Sequence, residues 1–100
     1  MKRLEYFSEV MKVVTELMEV DEVDVLGKSR ELDVVDARWM VMHLLREKGY
    51  QTKQISSLMR KPDRTINHAL SNFEDRVKYS LNGLGNTLAI AKQMLSNIGL

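Results

Sequence analysis

The chain has 100 residues, 44% of them hydrophobic, which is enough for one compact core and too few for two. It contains no cysteine, so a disulfide scaffold, a thiolate metal site and a cysteine nucleophile are excluded. The net charge is only +1, but residues 1–27 carry a net of −4, residues 28–64 a net of +4 and residues 65–100 a net of +1, which concentrates positive charge where a polyanion would bind.

In chain order, the basic start Lys2-Arg3 is followed by no uninterrupted apolar run, so it does not read as a signal peptide, and nothing approaches the roughly 18 apolar residues of a membrane span. Residues 4–18 place Leu4, Phe7, Val10, Met11, Val14, Leu17 and Met18 at helical spacing, with Glu5, Glu9, Lys12 and Glu16 facing water. A short helix or turn follows at 21–26, with Asp21 as its candidate cap and Gly27 as its stop. Gly27-Lys28-Ser29-Arg30 is a basic loop. Residues 32–48 form the most apolar stretch and predict a central helix packed on several sides, ended by Lys48-Gly49.

Two shorter helices are expected next. Thr52 is the candidate cap of the first, which buries Ile55, Leu58 and Met59 and ends near Arg60. Asp63 is the candidate cap of the second, which buries Ile66, Ala69, Leu70, Phe73 and Val77, and Pro62 sits in the turn between them. Asn82-Gly83-Leu84-Gly85 then breaks the chain, and a last helix over 86–98 buries Leu88, Ile90 or Ala91, Met94, Leu95 and Ile98.

Two helices joined at Arg60-Lys61-Pro62 make a candidate helix-turn-helix over 52–79. In that motif the second helix enters the major groove with its first turns against base edges. The candidate base readers there are Arg64, Thr65, Asn67 and His68, with Ser71 and Asn72 one turn on. Arginine can bond O6 and N7 of guanine together, and asparagine N6 and N7 of adenine. Lys53, Arg60 and Lys61 lie near helix ends, where cations and backbone N–H groups can hold phosphates.

The residues Val25-Leu26-Gly27-Lys28-Ser29-Arg30, Ala37-Arg38, Gln54-Ile55-Ser56-Ser57-Leu58-Met59 and Thr65-Ile66-Asn67-His68-Ala69 occur in an order and spacing that resemble the C-terminal DNA-binding domain of the replication initiator DnaA, over about 7–78. The resemblance implies an all-α fold of about six helices with a helix-turn-helix, of Trp-repressor-like architecture. It also implies that Arg30 enters a minor groove, that Lys28 and Arg38 grip phosphates, and that Thr65 and His68 lie on the recognition helix. The family's usual turn, Gly-Gly-Arg-Asp-His-Thr-Thr, is replaced by Arg60-Lys61-Pro62-Asp63-Arg64-Thr65. The two glycines and one residue are gone, which points to a target other than the standard initiator box.

No Gly-x-x-x-x-Gly-Lys-Ser/Thr loop is present, so no nucleotide, cofactor or ATPase activity is expected. His43 and His68 stand on different elements without metal-ligand spacing, and no nucleophilic triad is visible; neither a metal nor an enzyme is expected. The sequence therefore predicts a single, stand-alone cytoplasmic, nucleoid-associated domain. Its function would be sequence-preferring binding of double-stranded DNA in replication initiation or its regulation, without a membrane. The alternative is a protein-interaction module that keeps the fold but has lost specific reading. A homodimer or a replication-protein partner is left open.

Overall fold

The computed structural model describes residues 2–98, and among them there is no strand. Six helices run in order: α1 (Arg3–Met18), α2 (Glu22–Leu26), α3 (Leu32–Glu47), α4 (Thr52–Met59), α5 (Asp63–Lys78) and α6 (Leu84–Asn97). None is long and apolar enough to cross a membrane. This is the all-α, helix-turn-helix fold that the sequence predicts.

Helix α3 is the hub, packing against α1, α2, α4, α5 and α6. The reason is its composition: Ala37, Met40, Val41, Met42, Leu44 and Leu45 are all buried, more than one face of a surface helix could supply. It stops where Gly49 takes a φ of 104°, a left-handed conformation that costs glycine little. The N–H of Tyr50 then donates to the Leu45 carbonyl at 3.1 Å. The phenol of Tyr50 donates to the Arg3 carbonyl at 2.6 Å, which ties the start of α1 to the turn that leads into α4.

Several expectations at helix ends are corrected. The cap of α4 is Gln51, not Thr52; it forms a capping box with Gln54, so Thr52 enters the helix and its hydroxyl is released for other bonds. Pro62 is the N-cap of α5, and Asp63 is its first residue; the Asp63 carboxylate turns instead to Lys53, 3.1 Å away. Asp21, by contrast, is the N-cap residue of α2 as expected, although its side chain makes no cap hydrogen bond. Helix α6 begins at Leu84, two residues before the expected 86, because Gly83 takes a left-handed φ of 75° and starts the helix directly after the bend.

The helical periodicity also overstated burial at the ends of elements. Leu4 and Ile98 are exposed, as is Ile90, whereas Ala91 is buried. Tyr6 and Val13 of α1 are core residues that the pattern missed.

One core-edge residue makes folding sensitive to pH. His43 stacks on the Phe73 ring with centroids 4.6 Å apart, and burial pulls its pKa below the ordinary 6.5, against the attraction of Glu47. The folded state therefore favours the neutral ring. Its contribution is full above 6.5 and is lost as pH falls through the lowered value, where the unfolded chain binds the extra proton. Urea midpoints are expected to fall from pH 7 towards pH 5.5, and His43→Leu to flatten that slope. An unchanged slope in the variant would remove His43 as its cause.

Candidate nucleic-acid interface

Helices α4 and α5 pack against each other and against α3. Ile55 and Met59 of α4 and Ile66, Ala69 and Phe73 of α5 face inwards. That fixes which side of α5 faces out. Arg64, Thr65, Asn67, His68 and Ser71 are exposed, and 64, 67, 68 and 71 follow the spacing of a single helix face. The side chains expected to read bases therefore share one surface at the front of α5.

They are not equally loose. The His68 ring meets Trp39 edge-on, with centroids 5.7 Å apart, and Asn72 donates to the His68 carbonyl at 2.8 Å. Trp39 also lies under the Arg76 guanidinium, 5.0 Å from the ring centroid, while Arg76 pairs with the buried carboxylate of Asp36. Asn67 accepts a hydrogen bond from the Thr52 hydroxyl at 2.9 Å. The Thr52 oxygen in turn accepts from Arg46 at 2.6 Å. Nothing in the periodicity signals this last chain of bonds, because it joins polar residues on three elements.

The cations divide into two groups. Lys28, Arg30, Lys53, Arg60 and Arg64 are exposed; Lys53 makes a solvent-facing pair with Asp63, and that hydrogen bond holds the Asp63 carboxyl below its usual range. Such a pair contributes little to stability, so it leaves Lys53 available. Arg38 and Lys61 are placed differently. Arg38 is only 8% exposed. It donates to the carbonyls of Val25 at 2.8 Å, Ser29 at 2.9 Å and Asp24 at 2.8 Å. Burial pulls its pKa below the ordinary arginine value. All three nitrogens of Arg38, the residue expected to grip a phosphate, are thus engaged by backbone carbonyls.

Lys61 makes a comparable link. Its Nζ donates to the Gly27 carbonyl at 2.6 Å and to that of Leu26 at 3.3 Å. Burial, together with the nearby charges of Arg38 and Lys28, lowers its pKa. The end of α2 carries unsatisfied carbonyls, and a lysine from the α4–α5 turn satisfies two of them. Its own turn is closed by the Ser56 hydroxyl, which donates to the Lys61 carbonyl, and by the Lys61 N–H, which donates to that of Ser56 at 3.1 Å. The basic loop and the helix-turn-helix, more than thirty residues apart in sequence, are thus held edge to edge.

Residues 7–71 match the family model described as the bacterial dnaA protein helix-turn-helix. The chain belongs to the bacterial DnaA helix-turn-helix family. The matched stretch runs from α1 through the loop carrying Lys28 and Arg30, across α4 and the turn, to Ser71 within α5. It covers every residue singled out above as a base or phosphate contact except Asn72, and it stops short of α6. No curated protein and no solved structure matches the chain. As a DnaA-type helix-turn-helix, the chain is a double-stranded-DNA-binding domain of the kind used in replication initiation. Among the described residues, no group of three or more His, Cys, Asp or Glu is arranged to hold a metal ion.

Proposed function

We propose that the domain binds duplex DNA with sequence preference, through α5 in the major groove and Arg30 in the adjacent minor groove, in replication initiation or its regulation. The observation that carries this reading is the Lys61 link, which sets the Lys28–Arg30 loop beside the start of α5. A duplex lying along both would meet a helix and a flanking arginine at once. Arg64, Thr65, Asn67 and His68 read base edges, and Lys28, Lys53 and Arg60 hold phosphates. Arg38 and Lys61 act at one remove, as positioning residues that keep the loop in register with the helix. The setting is nucleoid DNA inside the cell.

This division makes a numerical forecast. Three phosphate contacts give a slope of log affinity against log salt near −3, whereas five, with Arg38 and Lys61 included, give about −4 to −5. Anisotropy titrations on a randomised duplex pool, followed by sequencing of the bound fraction, measure both the slope and the preference. Arg30→Ala is expected to weaken binding most on A·T-rich flanks, where the minor groove is narrow. Arg64→Ala should cost about 1–3 kcal/mol and relax one base position. If Arg64→Ala weakens all sequences alike, its base-reading role is lost. If the wild type binds no duplex at micromolar concentration, the whole reading falls and the surface belongs to a protein partner.

A further inference from the structure

The chain of bonds Arg46–Thr52–Asn67 decides which end of the Asn67 amide is available to DNA. Arg46 is donor-only. Its Nη2 donates to the Thr52 oxygen at 2.6 Å while its Nε donates to the Tyr50 carbonyl at 3.1 Å, so the guanidinium is held from both sides of the α3–α4 turn. A hydroxyl that accepts a charge-assisted bond becomes a stronger donor, and the Thr52 proton goes to Oδ1 of Asn67 at 2.9 Å. Reversing the amide would leave that hydroxyl proton without its acceptor. It would also turn the positive end of the amide dipole towards the Arg46 charge. The oxygen end of Asn67 is therefore directed back at α4, and the Nδ2 end is what the exposed face of α5 offers.

We propose that Arg46 and Thr52 set the specificity of Asn67, changing it from a two-bond reader of adenine into a donor that selects guanine. Adenine recognition by asparagine needs both ends of the amide against the base, the oxygen accepting from N6 and the nitrogen donating to N7. With the oxygen turned back to Thr52, the two Nδ2 hydrogens are what the amide presents to a base. Guanine presents two acceptors side by side, N7 and O6, for those hydrogens. Adenine presents one acceptor beside its own N6 donor, which repels them. Arg46 and Thr52 are positioning residues here, since neither has to touch the base. This inference rests on α5 being the base-reading helix and adds to that reading the base class at one position.

The test uses the full chain and compares base preferences from bound randomised duplexes for the wild type, Asn67→Ala, Thr52→Val, Thr52→Ser and Arg46→Met. Asn67→Ala identifies the position by relaxing it. Thr52→Val keeps the shape of the side chain and removes the hydroxyl, and because Gln51 is the cap of α4 the helix end is untouched. The expected result is guanine over adenine in the wild type at that position. In Thr52→Val the guanine-to-adenine ratio should fall about tenfold, with a smaller fall in the same direction for Arg46→Met and the wild-type ratio restored in Thr52→Ser. A Thr52→Val preference identical to wild type, at a position that Asn67→Ala relaxes, overturns the proposal and leaves DNA reading by α5 intact. A wild-type preference for adenine there overturns it as well, as does an Asn67→Ala profile with no relaxed position in a protein that still selects sequence. Loss of all duplex binding by the wild type would overturn both this inference and the reading beneath it. Urea midpoints of each variant distinguish a changed preference from a lost fold.

Discussion

Arg38→Met is expected to destabilise the domain by about 3 kcal/mol, the sum of charge-assisted bonds lost and carbonyls left behind. The Val25 carbonyl is buried where Arg38 reaches it, and those of Asp24 and Ser29 are half-buried. Water can recover part of the latter two and little of the first, which is why three lost bonds are not worth three full increments. Methionine keeps most of the aliphatic volume, so the loss measures the bonds and not a cavity. Chemical denaturation provides the number, and DNA titration under conditions where the variant remains folded provides a second. There, affinity should fall although no phosphate contact has been removed, because Lys28 and Arg30 lose their anchored loop, and the salt slope should stay near −3. A variant of wild-type stability whose slope drops by about one would mean that Arg38 touches a phosphate after all.

Phe73→Ala should cost about 3–5 kcal/mol, the range for removing an aromatic ring from a packed core. The ring is 1% exposed and stacks against His43 of α3, where it pins α5 to the hub. Much of a domain's net stability lies in that range, so the variant should be largely unfolded in warm buffer. Phe73→Leu, which refills most of the space, should recover more than half of the loss. Because Phe73 lies on the opposite side of α5 from the exposed readers, the base preference of the folded fraction should be unchanged. A Phe73→Leu protein with wild-type stability but altered preference would contradict that separation.

The elements of the fold were legible because they rest on apolar spacing, and the hub helix was the easiest to see, since its width of apolar surface has no other use. The match between Thr65-Ile66-Asn67-His68-Ala69 and a recognition helix was legible for a different reason: it combines buried positions at 66 and 69 with polar ones between. What escaped the sequence was the use of individual polar atoms. Arg38 and Lys28 look alike in a charge count, yet one is buried against three carbonyls and the other is exposed. That difference depends on where α2 ends relative to α3, which is a tertiary fact. A hydroxyl such as that of Thr52 favours a cap position, but the capping box formed by Gln51 and Gln54 starts the helix one residue earlier. That shift freed the hydroxyl that holds Asn67.

The turn of the helix-turn-helix carries one residue whose stability and charge pull in opposite directions. Arg60 ends α4 with a φ of 58°, a conformation that costs a residue with a side chain about 1 kcal/mol and glycine almost nothing. Arg60→Gly should therefore stabilise the domain by a few tenths to about one kcal/mol once the greater freedom of the unfolded glycine chain is counted, seen as a higher urea midpoint. It should also weaken DNA binding evenly across sequences. A variant that melts higher and grips less would identify position 60 as a place where selection for thermal robustness and selection for affinity favour different amino acids. Directed evolution of this domain would then divide at that codon according to which property was screened.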